Sequence, residues 1–229
     1  PLNTVEMQKL ISKKLRINSH KAMEVAEKLY QKGFISYPRT ETQIFNRNMN
    51  LRTFVEEQKA SSTWGEYATT LLEGGRYTFP RAGKLDDKAH PPIHPVKFVD
   101  PSTLEREEER RIYELLVRHF LASVSPDAKG QETQVQFLIA EELFHAKGLR
   151  VTDQGYLEIY VYDKWNDSYM ADFEMNEEII PSKCFFETGH TTPPNFLSES
   201  ELIALMDKEG IGTDATIAEH IKTIQERYL

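Results

Sequence analysis

The sequence is poor in cysteine and in long apolar stretches. Its one cysteine, Cys184, excludes an internal disulfide and a cysteine-rich zinc site, and it is typical of a reducing compartment. No uninterrupted apolar stretch approaches the roughly 20 residues of a membrane-spanning helix, so we expect no membrane partner. A signal peptide and an initiator methionine are also missing before Pro1, so we expect a piece of a longer protein.

Two further absences exclude P-loop nucleotide-binding proteins and repeat proteins. The Gly-Lys-Ser or Gly-Lys-Thr ending of a Walker phosphate loop does not occur, and neither does an internal repeat or a low-complexity tract. The 229 residues are 39% hydrophobic and 28% charged, which suffices for a packed core in one large domain or two small ones.

Positive charge is scarce overall but unevenly placed. The net charge is -8, which argues against nucleic-acid binding by the chain as a whole. Residues 1–59 nevertheless carry 11 Lys and Arg against 6 Asp and Glu, whereas the remainder carries 17 against 30. This excess indicates a polyanionic partner for the first part of the chain, although a solvated helix surface would explain it equally well.

Helical spacing of apolar residues is the main secondary-structure signal in the first half of the chain. The ranges predicted to be helical are 4–16, 20–32, 52–73 and 103–124. Gly33 suits the end of the second helix, and Trp64 with Gly65 marks a break in the third. Residues 74–102 are rich in proline and glycine and are predicted to be loop.

Alternating apolar residues then predict an antiparallel sheet module over residues 131–190. The alternating residues are Val135, Phe137, Ile139, Leu157, Ile159 and Val161. Lys147-Gly148 and Gln154-Gly155 supply turn signals between the strands.

The end of the sequence returns to helix. Ser198 and Glu201 form a capping-box pattern that opens a helix ending at Gly210. Thr216 and Glu219 repeat the pattern and are predicted to open a last helix.

The stretch "GFISYPRTET", residues 33–42, combines a phenol with a guanidinium. Pro38 disfavours helical geometry at Tyr37, and residues two apart in an extended chain face the same side, so Tyr37 and Arg39 should project together. A guanidinium favours the phenolate and can clamp a phosphate through two hydrogen bonds. The pair therefore suits attack on a phosphodiester to form a phosphotyrosine, although an exposed turn with incidental Tyr and Arg is the alternative.

The stretch "AHPPIHPVKF", residues 89–98, presents two imidazoles. His90 and His94 have the spacing of helical metal ligands, but the prolines between them forbid a helix and no cysteine cluster completes a zinc site. An extended segment would instead offer both histidines and Lys97 to a phosphate, or move a proton near neutral pH. A rigid loop with incidental histidines fits the same residues.

The stretch "GIGTDATIAEH", residues 210–220, is a glycine turn that leads into a helix. Exposed N–H groups at a helix start bind phosphate, and Thr213 and Thr216 could add hydroxyl donors. An ordinary corner between two helices explains the stretch equally well.

Taken together, four stretches resemble the type IA DNA topoisomerases in order and spacing. They are "PLNTVEMQ" at 1–8, "GFISYPRTET" at 33–42, "AHPPIHPVK" at 89–97 and "GIGTDATIAEHIKTI" at 210–224. The resemblance runs from end to end and is greatest to the topoisomerase III branch, its eukaryotic alpha-like members in particular. It implies an ATP-independent isomerase that cuts and rejoins one strand of single-stranded DNA through a 5′-phosphotyrosine, in DNA recombination and repair.

The resemblance also implies residue roles. Tyr37 matches the DNA-cleaving tyrosine, Arg39 the arginine that assists cleavage, and His90 the histidine that contacts the DNA backbone near the cut. Thr4 and Gln8 fall in the family stretch that approaches single-stranded DNA, and Thr216 matches a threonine that contacts phosphate. The further DNA-binding candidates, from the stretches described above, are His94, Lys97 and Thr213.

An α+β, multidomain core fragment is the implied architecture. Residues 1–126 resemble the helical domain that carries the tyrosine, residues 127–195 the β-rich arch, and residues 196–229 the start of the helical domain that lines the DNA groove. The Toprim domain, which binds Mg²⁺ in the family, has no counterpart in the sequence. We therefore expect Mg²⁺ to come from outside this chain, none to be bound by it, and the chain alone to lack relaxation activity.

Partners and location follow from the resemblance alone. Relatives work with RecQ-family helicases and OB-fold proteins, and a eukaryotic member would act in the nucleus, a bacterial one in the cytoplasm or nucleoid. Two non-catalytic alternatives stay open. One is a helix-turn-helix DNA-binding module, for which residues 199–229, with 7 acidic against 3 basic side chains, offer a poor surface. The other is a module that binds only protein partners.

Overall fold

The structure is a computed structural model and describes residues 1–228. Its regular elements include seven α-helices and a two-stranded β-ribbon. The helices are α1 Thr4–Leu10, α2 Ser19–Gln31, α3 Leu51–Gln58, α4 Gly65–Glu73, α5 Glu107–Ser123, α6 Glu199–Lys208 and α7 Ile217–Tyr228. The strands are β1 Lys129–Ile139 and β2 Glu142–Asp153, and they pair antiparallel. The α+β class predicted from the sequence is confirmed at this level. Leu229, the last residue of the predicted segment 196–229, lies outside the described residues.

The first two helices begin where the sequence predicts. The side chain of Asn3 accepts a hydrogen bond from the Glu6 N–H at the start of α1, and Asn18 does the same for α2. A π-helical turn over Ile11–Leu15 extends α1 and ends at Arg16, whose φ of 57° turns the chain toward α2. The predicted ranges 4–16 and 20–32 are confirmed.

The predicted break between α3 and α4 has a steric cause. A Cβ at Gly65 would lie 2.3 Å from the carbonyl oxygen of Lys59, so only glycine fits. Trp64 beside it is buried and donates its ring N–H to the Gln58 amide oxygen at 3.1 Å. Helix α5 starts at Glu107, later than the predicted 103, because Asp100 caps a 3₁₀ turn over Pro101–Thr103.

Helices α1 through α5 share one apolar core, in which α2 packs against α5. Its largest buried side chains include Trp64, Tyr113, Phe120, Met7, Ile11 and Leu29. Tyr113 also anchors the segment before α5, because its hydroxyl donates to the Lys97 carbonyl at 2.9 Å and accepts from the Val99 N–H at 3.2 Å. The core thus fixes the chain at the C-terminal end of the histidine-containing stretch.

The predicted sheet is wrong beyond residue 153. The ribbon turns at Ala140 and Glu141, both with positive φ as a tight hairpin requires, whereas Lys147-Gly148 lies inside β2. Gly155 has φ of +50° and a Cβ there would lie 2.5 Å from the Asp127 backbone, so the chain turns sharply. The turn signal at Gln154-Gly155 is therefore confirmed, but it begins no strand.

Leu157, Ile159 and Val161 consequently lie in a 3₁₀ turn and the bends that follow it, not in a strand. Ile159 is buried in the helical core, and its carbonyl accepts from Arg118 of α5 at 3.0 Å. Of the three alternating residues only Ile159 is buried, whereas Leu157 is partly exposed and Val161 is exposed, so the alternation marks no sheet surface. Apart from a bridge of Ser168 to β2, residues 162–198 are without regular strands, and most are exposed.

Helix α6 packs on α1 and helix α7 packs on α2 and α6, with a small apolar cluster at their junction. The cluster comprises Val5, Ile203, Met206, Ile217 and Ile221. The predicted capping box of Ser198 and Glu201 is present, and Gly210, with φ of 67°, ends α6. The Thr216 hydroxyl instead accepts from the Thr213 N–H at 2.9 Å, so the second predicted capping box does not form among the described residues.

None of the helices described between residues 1 and 228 is long and apolar enough to cross a lipid bilayer.

Candidate active site

The tyrosine and histidine stretches lie side by side in extended form. Ile35 forms an antiparallel bridge with Pro95, and the Ser36 N–H donates to the His94 carbonyl at 2.9 Å. The chain continues from this pairing to Tyr37 on one segment and runs back from it to His90 on the other. The pairing therefore brings together two residues that lie far apart in the sequence.

Tyr37 sits between two other rings. The centroid of its ring lies 4.9 Å from that of His90 and 5.2 Å from that of Tyr30, which projects from α2. Tyr37 is partly exposed and His90 is exposed. The phenol and the imidazole thus share one accessible surface, as an attacking group and a phosphate-binding group would require.

Arg39 contacts helix α2 about one turn before the position that Tyr37 contacts. Its Nε donates to Glu27 Oε1 at 2.6 Å, and its Nη1 donates to the Ala215 carbonyl at 3.0 Å. Because Glu27 and Tyr30 are three apart on α2, Tyr37 and Arg39 both face that helix. The sequence correctly predicts that the two side chains project to one side.

The segment after Tyr37 is held by buried hydroxyls. The Thr4 hydroxyl donates to the Pro38 carbonyl at 2.7 Å and accepts from the Thr40 N–H at 2.7 Å. Thr40 in turn donates to Asp87 Oδ2 at 3.1 Å. These contacts join the start of α1, the tyrosine segment and the histidine loop into one frame.

Three residues expected to contact DNA lie in the interior of this chain. Thr4 and Gln8 are fully buried, and neither polar atom of the Gln8 amide has a partner among residues 1–228. His94 is 2% exposed, packs on Phe120 and other aromatic rings, and donates its Nδ1–H to Pro92. Burial lowers the pKa of His94. In this structure the three side chains are therefore not accessible to DNA.

The other expected DNA contacts are accessible. Lys97 is exposed but lies at the far end of the Ile35–Pro95 pairing from Tyr37. Thr213 is exposed and Thr216 partly so, and both hydroxyls accept N–H groups of their own turn, which leaves each free to donate. Arg39 connects that turn to the tyrosine segment.

Sequence reasoning missed three contributors to the site. Asp87 precedes His90 by three residues, and this spacing was its only sequence signal. Glu27 and Tyr30 carry no signal that separates them from other residues of α2. Only the packing of α2 under the tyrosine segment identifies them.

A comparison of the sequence with protein families shows which family the chain belongs to. The profile described as DNA topoisomerase matches residues 1–229. This chain belongs to the DNA topoisomerase family. The type IA resemblance found in the four sequence stretches is confirmed.

Curated relatives place this topoisomerase chain near the eukaryotic topoisomerase 3 proteins. It is 51% identical over 226 residues to DNA topoisomerase 3-alpha of Homo sapiens, 49% over 228 to DNA topoisomerase 3 of Schizosaccharomyces pombe, and 46% over 229 to the 3-alpha protein of Arabidopsis thaliana. Each alignment covers 99% of this chain but only 22%, 36% and 25% of the relative. The chain therefore spans only part of the length of these relatives.

A solved structure shows the same fold. Full-length topoisomerase I from Thermotoga maritima superposes with a TM-score of 0.68 over 99% of this chain and 38% of its own, at 24% identity.

Throughout residues 1–228, no three His, Cys, Asp or Glu side chains are grouped so that they could hold a metal ion. The described residues of this chain therefore do not fit Mg²⁺.

A cleft beside Arg39 is lined by charges of both signs, three carboxylates with Lys28 and Arg39. Its volume is about 370 Å³, and it lies between α2 and α7, with His20, Glu24, Glu27 and Glu219 among its lining residues. His20 Nε2 lies 3.2 Å from Glu219 Oε1. A phosphate approaching this cleft would have to replace Glu27 at the guanidinium.

Proposed function

We propose that this chain carries the DNA-cleaving half of a topoisomerase that cuts and rejoins one strand of single-stranded DNA. The observation that supports this most is the contact of the Tyr37 ring with His90 on an accessible surface, with Arg39 one helical turn away. A nucleophile, an imidazole and a guanidinium are the groups that attack on a phosphodiester needs from side chains.

The proposed reaction is a transesterification. The Tyr37 oxygen loses its proton to solvent and attacks phosphorus, a new O–P bond forms, and the bond from phosphorus to the 3′-oxygen breaks. The leaving 3′-oxygen takes up a proton, and the 5′-phosphoryl end stays on the tyrosine. Arg39 exchanges Glu27 for a phosphate oxygen, and His90 donates to another, so both stabilise the charge that develops. Attack by the 3′-hydroxyl reverses the steps without ATP, because the phosphodiester energy is retained.

The domain organisation is also proposed. Residues 1–126 form the helical tyrosine-bearing domain, residues 127–195 part of the β-rich arch, and residues 196–229 the start of the groove domain. The ribbon β1–β2 supports this division, whereas the apolar cluster of α6 and α7 includes Val5 and so packs the third segment on the first. Residues of a Toprim domain in the complete protein would supply Mg²⁺.

Biological context is proposed from the relatives' family. The partners would be single-stranded DNA, with a RecQ-family helicase and an OB-fold protein, and the work would be recombination and repair in the nucleus. The helix-turn-helix alternative is not favoured, because Ile217 and Ile221 of α7 are buried against the chain and the family match accounts for the whole sequence.

Covalent capture of DNA tests the proposal. A full-length protein containing this chain is incubated with end-labelled single-stranded DNA and denatured, and protein-linked label is counted. Tyr37→Phe should abolish the linked label, whereas Tyr30→Phe, which removes the neighbouring phenol, should retain it. Linked label in Tyr37→Phe at the level of the unsubstituted protein would refute the role of Tyr37.

A further inference from the structure

Asp87 is anchored within an otherwise exposed loop. All residues from 81 to 90 are exposed, yet the Asp87 side chain keeps only 22% of its surface in water. Its Oδ1 accepts the N–H groups of Ala89 at 2.8 Å and of His90 at 2.9 Å. The carboxylate thus fixes the backbone at His90.

The same carboxylate binds the tyrosine segment. Oδ2 of Asp87 accepts from the Thr40 hydroxyl at 3.1 Å, and the Asp87 N–H donates to the Thr42 hydroxyl at 3.0 Å. Thr40 is three residues from Tyr37. Asp87 therefore connects the backbone that carries the imidazole to the backbone that carries the phenol.

Asp87 also faces the imidazole itself. Oδ2 lies 3.6 Å from Nδ1 of His90, while the His90 ring lies 4.9 Å from the Tyr37 ring. The separation is longer than a hydrogen bond, and the negative charge draws the Nδ1 edge of the imidazole toward Asp87, which sets the ring orientation. The other nitrogen, Nε2, is then the one directed away from Asp87.

Hydrogen bonds from the backbone of His90 and Ala89 hold the pKa of Asp87 well below its usual range. The carboxylate is therefore ionised at any pH at which the protein would act on DNA.

We propose that Asp87 is the positioning residue for His90, holding the imidazole beside Tyr37 through the backbone contacts and through Nδ1. The inference rests on the proposed cleavage by Tyr37 and deepens it. It differs from a purely structural role of the loop, because it predicts that most of the effect of Asp87 on the reaction passes through His90.

A double-mutant cycle on single-turnover cleavage tests this in a full-length protein containing the chain. Asp87→Asn keeps an oxygen for the two backbone N–H groups but removes the charge, and we expect cleavage to slow roughly tenfold. In a His90→Gln background the same change should have a much smaller effect, because only the contact with Thr40 is then left to lose. Asp86→Asn is the matched control, because the Asp86 carboxylate accepts only from the Lys88 N–H, and it should cleave normally.

A split of the kinetic parameters separates positioning from loop stability. In Asp87→Asn the cleavage rate at saturating DNA should fall, while the DNA concentration at half-saturation should stay at the value of Asp86→Asn. Unchanged cleavage in Asp87→Asn, or an effect that persists undiminished without His90, would overturn the inference while leaving cleavage by Tyr37 intact. Absence of any covalent product in the unsubstituted protein would instead overturn the proposed function.

Discussion

The guanidinium of Arg39 is paired with the carboxylate of Glu27 at 2.6 Å. Both side chains are about one-third exposed or less, so the pair is accessible to a ligand without being fully hydrated. The same guanidinium donates to Ala215, in the turn between α6 and α7. The guanidinium of Arg39 therefore connects three segments of the chain, which are α2, the tyrosine segment and the α6–α7 turn. A DNA phosphate that binds this guanidinium would compete with the Glu27 carboxylate.

Replacing Glu27 should free that cation. In Glu27→Gln, affinity for single-stranded DNA should rise by up to about fivefold, since a pair this exposed is worth up to about 1 kcal/mol. Filter binding or fluorescence anisotropy with a labelled oligonucleotide would measure the change. Glu24→Gln is the matched control, because Glu24 lies on the same helix and pairs with Lys21 and Lys28. Equal effects of the two substitutions would show that only net charge matters.

Thr4 should matter through its hydroxyl. Thr4→Val leaves the buried Thr40 N–H without its acceptor and should lower the free energy of unfolding by about 1–3 kcal/mol. It should also slow cleavage, because the hydroxyl holds the Pro38 carbonyl next to Tyr37. Thr4→Ser keeps the hydroxyl and should cost under about 1 kcal/mol. Urea denaturation measures both, and a valine variant as stable as serine would contradict the account.

Two glycines around the α6–α7 turn form a natural comparison. Gly212 has φ of +84°, and an added Cβ would lie 3.0 Å from Thr216 Oγ1 and 3.1 Å from His220 Cδ2. Gly210 has φ of +67° with open space around it. Gly210→Ala should therefore lose only the roughly 1–2 kcal/mol of left-handed strain, and Gly212→Ala should lose more. Thermal denaturation of the two variants measures the difference, and a reversed order would mean that the turn is held differently.

Burial of His94 makes stability depend on pH. Its pKa is lowered in the folded chain, so the unfolded chain binds a proton first as the pH falls through about 6.5. Stability should therefore decline from pH 7 downward and level off below the folded pKa. His94→Gln should reduce the decline measured by urea denaturation, with the exposed His190→Gln as control. An identical decline in His94→Gln and in the unsubstituted chain would contradict this reading.

The sequence predicted the helices well because their apolar spacing and caps are local. Only the family resemblance placed Tyr37 and His90 in one site. Apolar spacing and caps could not do so, because the contact of these two residues depends on the pairing of Ile35 with Pro95. Asp87 escaped notice because its partners Thr40 and Thr42 lie more than 40 residues away. Alternation at Leu157 to Val161 misled the strand prediction, since Gly155 bends the chain into a turn that packs on α5.

Identification of the residue that becomes joined to DNA tests the central claim most directly. A full-length protein containing this chain is trapped on single-stranded DNA, digested with protease and nuclease, and analysed by tandem mass spectrometry. The account predicts one nucleotide-bearing peptide, modified at Tyr37 through a 5′-phosphate. A modification at Tyr30 or at any other side chain, or a link through a 3′-phosphate, would contradict it.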